Sequence, residues 1–177
     1  PGVFTCVSLG LLGAEANGPS SQPAISYDGR YVVFASTATN LVSGVTGGNQ
    51  HIYLHDRITG QTELISMDSA GTPGNGASGN PSVSATGQYI VYESAAANLL
   101  GAGGDTNAAS DIFLRDRTAG TTTLVSDAYN PLEESNGDST LPSISSDGER
   151  VAFVSNAGNL VPGVPGGANV YLRDIPS

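Results

Sequence analysis

Few residues in this chain have the type and spacing to do chemistry. His51 and His55 are the only histidines, four positions apart. On a strand, residues i and i+4 share a face but lie roughly 13 Å apart, so the two imidazoles are not expected to hold one zinc ion. Cys6 is the lone cysteine. Leu64 and Leu124 stand at its equivalent positions in the repeats set out below, which predicts a small buried strand residue rather than a reactive thiol. Asp105 and Asn107, followed by Asp111, form the best candidate metal site. Oxygen donors at alternate positions can wrap a hard cation, and the ion expected is Ca²⁺. The other reading of the same residues is an Asx-type turn, in which the side chains bond nearby backbone. No Gly-x-Ser-x-Gly elbow, phosphate loop or dinucleotide fingerprint occurs, and no serine stands in a readable triad.

Other acids recur at fixed places. Asp28 with Gly29, Gly87, and Asp147 with Gly148 stand in one turn; Asp56, Asp116 and Asp174 stand before another. Recurrence points to architecture, because a catalytic group is needed once. These residues are expected to cap turns, and Asn40, Asn98 and Asn159 to do the same in a longer loop. Arg57 and Arg117 are expected to pair with acids at the surface.

The elements that would position these residues follow from the composition. In 177 residues there are 24 glycines and 10 prolines, which argues for short strands and tight turns over long helices. Six basic residues, all arginine, face sixteen acidic ones for a formal charge of −10. Such a surface repels phosphate backbones and anionic lipid, so neither nucleic-acid binding nor membrane insertion is expected. No apolar run approaches the ~20 residues that span a bilayer. A chain that begins at Pro1 is expected to be processed or trimmed.

The chain is internally repetitive. PAISYDGRYVVFASTATNLVSG from Pro23, PSVSATGQYIVYESAAANLLGA from Pro81 and PSISSDGERVAFVSNAGNLVPG from Pro142 are copies, 58 and 61 residues apart. HIYLHDRITGQTELIS follows the first and DIFLRDRTAGTTTLVS the second, whereas NVYLRDIPS follows the third. FTCVSL, residues 4–9, resembles TELISM at 62–67 and TTLVSD at 122–127. Each unit reads as four strands, with a short first strand around 24–26 and others near 31–36, 51–56 and 62–66. The Asp-Gly pair between the first two is a hairpin signal. Strands two and three carry apolar residues on both faces, so each sheet is covered on both sides. Four-stranded antiparallel sheets stacked in this way are the blades of a β-propeller.

The motifs Pro-x-[Ile/Val]-Ser-x-Asp-Gly, Val-x-Phe-x-Ser, Asn-Leu-Val, [Ile/Val]-Tyr-Leu-x-Asp and Thr-Gly resemble the TolB-like propeller repeat, a relative of WD-repeat blades. The resemblance covers the whole chain as one domain, 1–177. Blade one lies at about 23–67, blade two at about 81–127 and blade three at about 142–174. Ile25, Val83 and Ile144 replace the tryptophan often found in the first strand of such blades, and Thr86 replaces the turn aspartate of the second copy. The resemblance implies that first strands line a central channel and that residues 4–9 act as an outer fourth strand. Two copies would then form a homodimeric six-bladed ring, each completing blade three of the other near Tyr171. The alternatives are a fragment of a longer propeller and a ring of more copies.

A propeller of this kind implies a non-catalytic binding or scaffold module outside the cytoplasm, periplasmic or secreted from a bacterium. It would take a protein or glycan ligand at loops 11–22, 70–80 and 130–141 around a channel mouth. The alternatives are the propeller part of a hydrolase or peptidase, and a repeat lectin, which the 6% aromatic content disfavours.

Overall fold

The computed structural model describes residues 2–101 and 104–176, so Pro1 and Ser177 of the expected 1–177 unit lie outside the described residues. The architecture is all-β, with one short 3₁₀ turn at Leu11–Gly13. Blade one is β1 (Ser20–Ile25), β2 (Tyr31–Ser36), β3 (His51–Asp56) and β4 (Gln61–Leu64). Blade two is β5 (Ser78–Val83), β6 (Tyr89–Ser94), β7 (Asp111–Asp116) and β8 (Thr121–Leu124). Blade three is β9 (Ser139–Ile144), β10 (Arg150–Ser155) and β11 (Asn169–Asp174). Strand order follows the chain in every sheet and all pairs are antiparallel. This is a stack of three propeller blades.

The double-sided apolar strands explain the stacking. Val33, Ala35, Ile52 and Leu54 of blade one meet Ile90, Tyr92, Leu99 and Phe113 of blade two in one buried cluster. Val91, Ile112 and Leu114 on the opposite face of blade two meet Val151 and Phe153 of blade three in a second. Each blade also stacks an aromatic pair across its second and third strands: Phe34 on Tyr53, Tyr92 on Phe113 and Phe153 on Tyr171, with centroids 5.9, 6.1 and 5.9 Å apart. The first turn of each later blade packs on the blade before it, Gly87 against the Tyr31 ring and Gly148 against the Tyr89 ring.

The first strands begin about four residues earlier than the sequence suggested, at Ser20, Ser78 and Ser139. Pro23, Pro81 and Pro142 sit inside them, because a register shift at each proline leaves its missing N–H out of the ladder. β4 ends earlier than expected, at Leu64, because the Ser66 hydroxyl takes the place of a backbone carbonyl on the neighbouring strand: Ser66 Oγ accepts the Ile52 N–H at 3.0 Å. Residues 2–9 form no strand within one chain, and β11 pairs with β10 alone. Cys6 is therefore exposed, not buried, since its segment is paired with no sheet.

Candidate functional site

The recurring acids stand in turns. Asp28 Oδ1 accepts the Ser26 hydroxyl at 2.6 Å and the Arg30 N–H at 3.0 Å, and Asp147 does the same with Ser145 and Glu149. These bonds hold both carboxyls below the usual aspartate range, the serine bond first. Thr86 makes only a 3.4 Å contact to the Gln88 N–H in the matching turn. Asp56 accepts from Arg30 Nε and Nη2 at 3.0 and 2.7 Å and from the Ile58 N–H at 2.9 Å; the arginine bond is the main cause of its lowered pKa. Asp116 caps the next turn through the Thr118 and Ala119 N–H groups, and Asp174 meets Arg150 at 3.2 Å. Arg57 donates to the Gly29 carbonyl at 2.7 Å instead of pairing with an acid. Arg117 reaches into the previous blade, to Glu63 and over the Tyr31 ring at 4.9 Å.

The loops at one end of the stack are held by a device that the sequence reading missed. In blade one the Asn17 N–H donates to Asn40 Oδ1 at 3.0 Å, Asn17 Oδ1 accepts the Thr39 N–H at 2.8 Å, and Asn40 Nδ2 donates to the Glu15 carbonyl at 2.8 Å. Asn75 with Asn98, and Asn136 with Asn159, repeat this clamp. The following glycines, Gly18, Gly76 and Gly137, lie so close to the opposite backbone that a Cβ would collide with it. Serine pairs then close each blade, Ser20–Ser36, Ser78–Ser94 and Ser139–Ser155, at 3.0, 2.9 and 2.9 Å. The signal was in the sequence: Asn-Gly-x-Ser-x-x-Pro occurs three times, ending at Pro23, Pro81 and Pro142.

Those motifs lead into a shared depression. Gln22, Asn80 and Leu141, each just before the proline, have φ of 52°, 47° and 53°. Non-glycine residues in this left-handed region cost about 1–2 kcal/mol each, and a residue before proline ordinarily prefers extended backbone. All three, with Pro23, Pro81 and Pro142, line an open depression of about 330 Å³ between the first strands. Polar links join the blades here: the Asn80 N–H donates to Gln22 Oε1 at 3.0 Å, and the Leu141 N–H donates to Glu93 Oε2 at 3.0 Å. Leu141 is exposed, so the wall offers an apolar side chain beside amides and a carboxylate.

Asp105, Asn107 and Asp111 are neighbours, and Glu134 joins them from the loop before blade three. Asp111 is buried; its Oδ1 accepts the Ser126 and Ser135 hydroxyls at 2.7 and 3.2 Å, and its Oδ2 accepts Asn107 Nδ2 at 3.2 Å. Glu134 accepts the Thr106 N–H and hydroxyl at 3.1 and 2.9 Å. Asp105 is 9% exposed, and its Oδ1 is buried with no hydrogen-bond partner. Burial, then the nearby Asp111 and Glu134, raises the Asp105 pKa; burial raises that of Asp111 as well. Among the described residues no three His, Cys, Asp or Glu side chains sit together closely enough to hold one metal ion. Both histidines are engaged inside blade one, His51 Nδ1 3.1 Å from Ser66 Oγ and His55 Nδ1 3.0 Å from Thr62 Oγ1, and burial lowers both pKa values.

No family model matches the chain, and no curated protein does. Solved structures match it. TolB of Acinetobacter baumannii is 20% identical with a TM-score of 0.52, the match covering 92% of this chain and 31% of that one. A TolB protein of Agrobacterium tumefaciens is 18% identical with a TM-score of 0.54, covering 97% of this chain and 50% of that one. A prolyl endopeptidase is 13% identical with a TM-score of 0.51, covering 91% of this chain and 21% of that one. The chain thus spans a third to a half of the TolB proteins it matches. It has the fold of three consecutive blades of a TolB-like β-propeller.

Proposed function

We propose that this chain is a non-catalytic binding module of the TolB-like propeller type that receives a peptide segment of a protein partner at the channel wall. The observation that carries this reading is the depression between Gln22–Pro23, Asn80–Pro81 and Leu141–Pro142, lined in every blade by a residue in a strained backbone conformation. Strain of this kind persists only where the surrounding structure enforces it, and it gathers at ligand sites. Each bulge sits beside a proline, and side chains of the preceding blade hold the Asn80 and Leu141 N–H groups in place. The formal charge of −10 and the Glu93 carboxylate favour a basic segment. The asparagine clamps hold the surrounding loops in one shape, which lowers the ordering cost of binding. A place outside the cytoplasm goes with the TolB-like resemblance.

The test is a peptide array with a parallel glycan array, each with and without Ca²⁺, followed by titration of the best peptide into the wild type and Leu141→Asp. Basic peptides should bind, and Leu141→Asp should alter their affinity while the far-UV spectrum stays unchanged. Glycan binding without peptide binding, or peptide binding indifferent to Leu141, overturns the reading. The second reading is the propeller part of a peptidase, suggested by the prolyl endopeptidase likeness. Peptide cleavage by this chain would favour it.

A further inference from the structure

We propose that the depression between the β8–β9 loop and the β10–β11 loop receives an arginine side chain of a protein partner, held by the Tyr129 ring and the Glu133 carboxylate. The site shares no lining residue with the channel wall and is assigned independently of the peptide proposed there.

The chain already holds an arginine of its own in this way. Between blades one and two, Arg117 lies over the Tyr31 ring at 4.9 Å, and its Nε donates to Glu63 Oε1 at 2.8 Å. The ring face attracts the guanidinium through its quadrupole, and the carboxylate takes its N–H groups. Tyr129 and Glu133 offer the same two groups without an arginine. They line an open depression of about 280 Å³ together with Asn130, Val161 and Pro162. Tyr129 is 71% exposed. Val161 and Pro162 give the apolar wall that suits the methylene stem of an arginine, and Glu133 supplies the charge for its head. Arginine fits better than lysine, because a planar guanidinium both stacks on a ring and forks onto a carboxylate.

No side chain of this molecule takes the place. There is no lysine. Each of the six arginines is engaged elsewhere: Arg30 with Asp56, Arg57 with the Gly29 carbonyl, Arg115 with Thr122, Arg117 with Glu63, Arg150 with Asp174 and Arg173 with Asp127. Asn130 Nδ2 donates to Glu133 Oε1 at 2.8 Å, and Oε2 accepts no hydrogen bond from the described residues. The pair is also foreign to the repeat. The matching loop between β4 and β5, residues 66–75, reads SMDSAGTPGN, with no aromatic residue and no glutamate. Groups that recur in every blade serve the architecture, whereas these two occur once.

The loop is set before a ligand arrives. The Tyr129 N–H donates to the Asn159 carbonyl at 2.9 Å, the Leu132 N–H to Asn130 Oδ1 at 3.1 Å, and Asn159 Nδ2 to the Glu134 carbonyl at 2.8 Å. Little ordering is left for binding to cost. Glu134 and Asp138 follow on the same loop, and residues 125–138 and 156–168 contain no arginine, so the local field draws a cation in.

The probe is N-acetyl-arginine amide, titrated into the isotope-labelled chain and followed by amide resonances. N-acetyl-citrulline amide, nearly the same shape without the charge, is the control. The arginine compound should shift resonances within 129–134 and 158–161 with a dissociation constant on the order of 10 mM, and the citrulline compound should bind at least about fivefold more weakly. Glu133→Gln keeps the bond from Asn130 and should weaken arginine binding about twofold to fivefold. Tyr129→Leu should weaken it about threefold. Both side chains are exposed, so the far-UV spectrum should not change, and Leu141→Asp should leave binding of the probe as it is. A displayed random-peptide library panned on the wild type should enrich arginine, and the Tyr129→Leu, Glu133→Gln double variant should lose that enrichment. The proposal is overturned if the arginine compound shifts nothing in these loops at about ten times the expected constant, if the citrulline compound binds equally well, or if N-acetylglucosamine shifts the same residues more strongly. Self-association of the wild type that the double variant abolishes would also overturn it, by giving the place to a second copy.

Discussion

Gly87→Ala should destabilise the protein far more than Gly29→Ala, although both glycines occupy the same turn of their blades. Both have positive φ, +70° at Gly87 and +72° at Gly29, so either alanine suffers a backbone penalty of about 1–2 kcal/mol. At Gly29 the nearest atoms to an added Cβ are Arg57 Nη1 at 3.8 Å and Ile25 Cδ1 at 4.0 Å, which is ordinary contact. At Gly87 the Cβ would penetrate the Tyr31 ring, with Cγ at 2.6 Å. That ring cannot easily move away, since Arg30 and Arg117 lie over it at 4.7 and 4.9 Å. Overpacking of this kind costs about 1–3 kcal/mol more, for a total of about 2–5 kcal/mol at Gly87. Urea unfolding followed by circular dichroism, at a concentration where the chain is monomeric, would read the difference as a lower midpoint at unchanged slope. In a Tyr31→Ala background the gap between the two glycine variants should close to within about 0.5 kcal/mol. Equal losses in the wild-type background, or a gap that survives removal of Tyr31, would refute the idea that this ring makes the blade junction intolerant of a side chain.

Tyr92→Phe should stabilise the chain, because the Tyr92 hydroxyl is buried without a partner and Phe34 and Phe153 occupy the same position in the other blades; thermal melts should register the relief of about 1–3 kcal/mol of unmet desolvation. Asp105→Asn should raise the melting temperature at neutral pH in EDTA, since the folded protein holds the Asp105 pKa above 3.8 and so loses stability as pH rises through that shifted value. Ca²⁺ added to both forms tests the cation expected at Asp105, Asn107 and Asp111: a rise in melting temperature that Asp105→Asn abolishes supports it, and no effect on the wild type disposes of it. Acid should act in the opposite sense through Asp56, whose pKa lies below 3.8: its contribution is complete above that value and is lost as pH falls below it. Asp56→Asn should therefore melt lower at neutral pH and show a shallower acid limb. His51, with its pKa pushed below 6.5 by burial, should add a loss of stability as pH drops under 6.5 that His51→Gln removes.

The blade architecture was readable because the chain states it three times. Val33 beside Phe34, and Ile52 beside Tyr53, demand cover on both faces, and the Gly29, Gly87 and Gly148 turns fix where each sheet begins. The start of the first strands was hidden by Pro23, Pro81 and Pro142, which read locally as breakers. Only a bulge at Gln22, Asn80 and Leu141 lets a strand run through them, and such a bulge has no short-range signature. Asn40, Asn98 and Asn159 were legible as recurring loop residues, but their partners Asn17, Asn75 and Asn136 stand before each copy's first proline, and the pairing needs the folded loop. Glu134 near Asp105 could not be read at all, because blade stacking brings together residues 29 positions apart. Cys6 illustrates a different limit. Its strand-like sequence describes a pairing that one chain does not make.

The order of the blades also governs how the molecule comes apart. Packing runs from blade one to blade two and from blade two to blade three, so cooperativity passes along a line, as in solenoid proteins. Blade two has neighbours on both faces and should be the last to open. Within these residues blade three packs on a neighbour through one face, so β11 amides should exchange with solvent before those of β7.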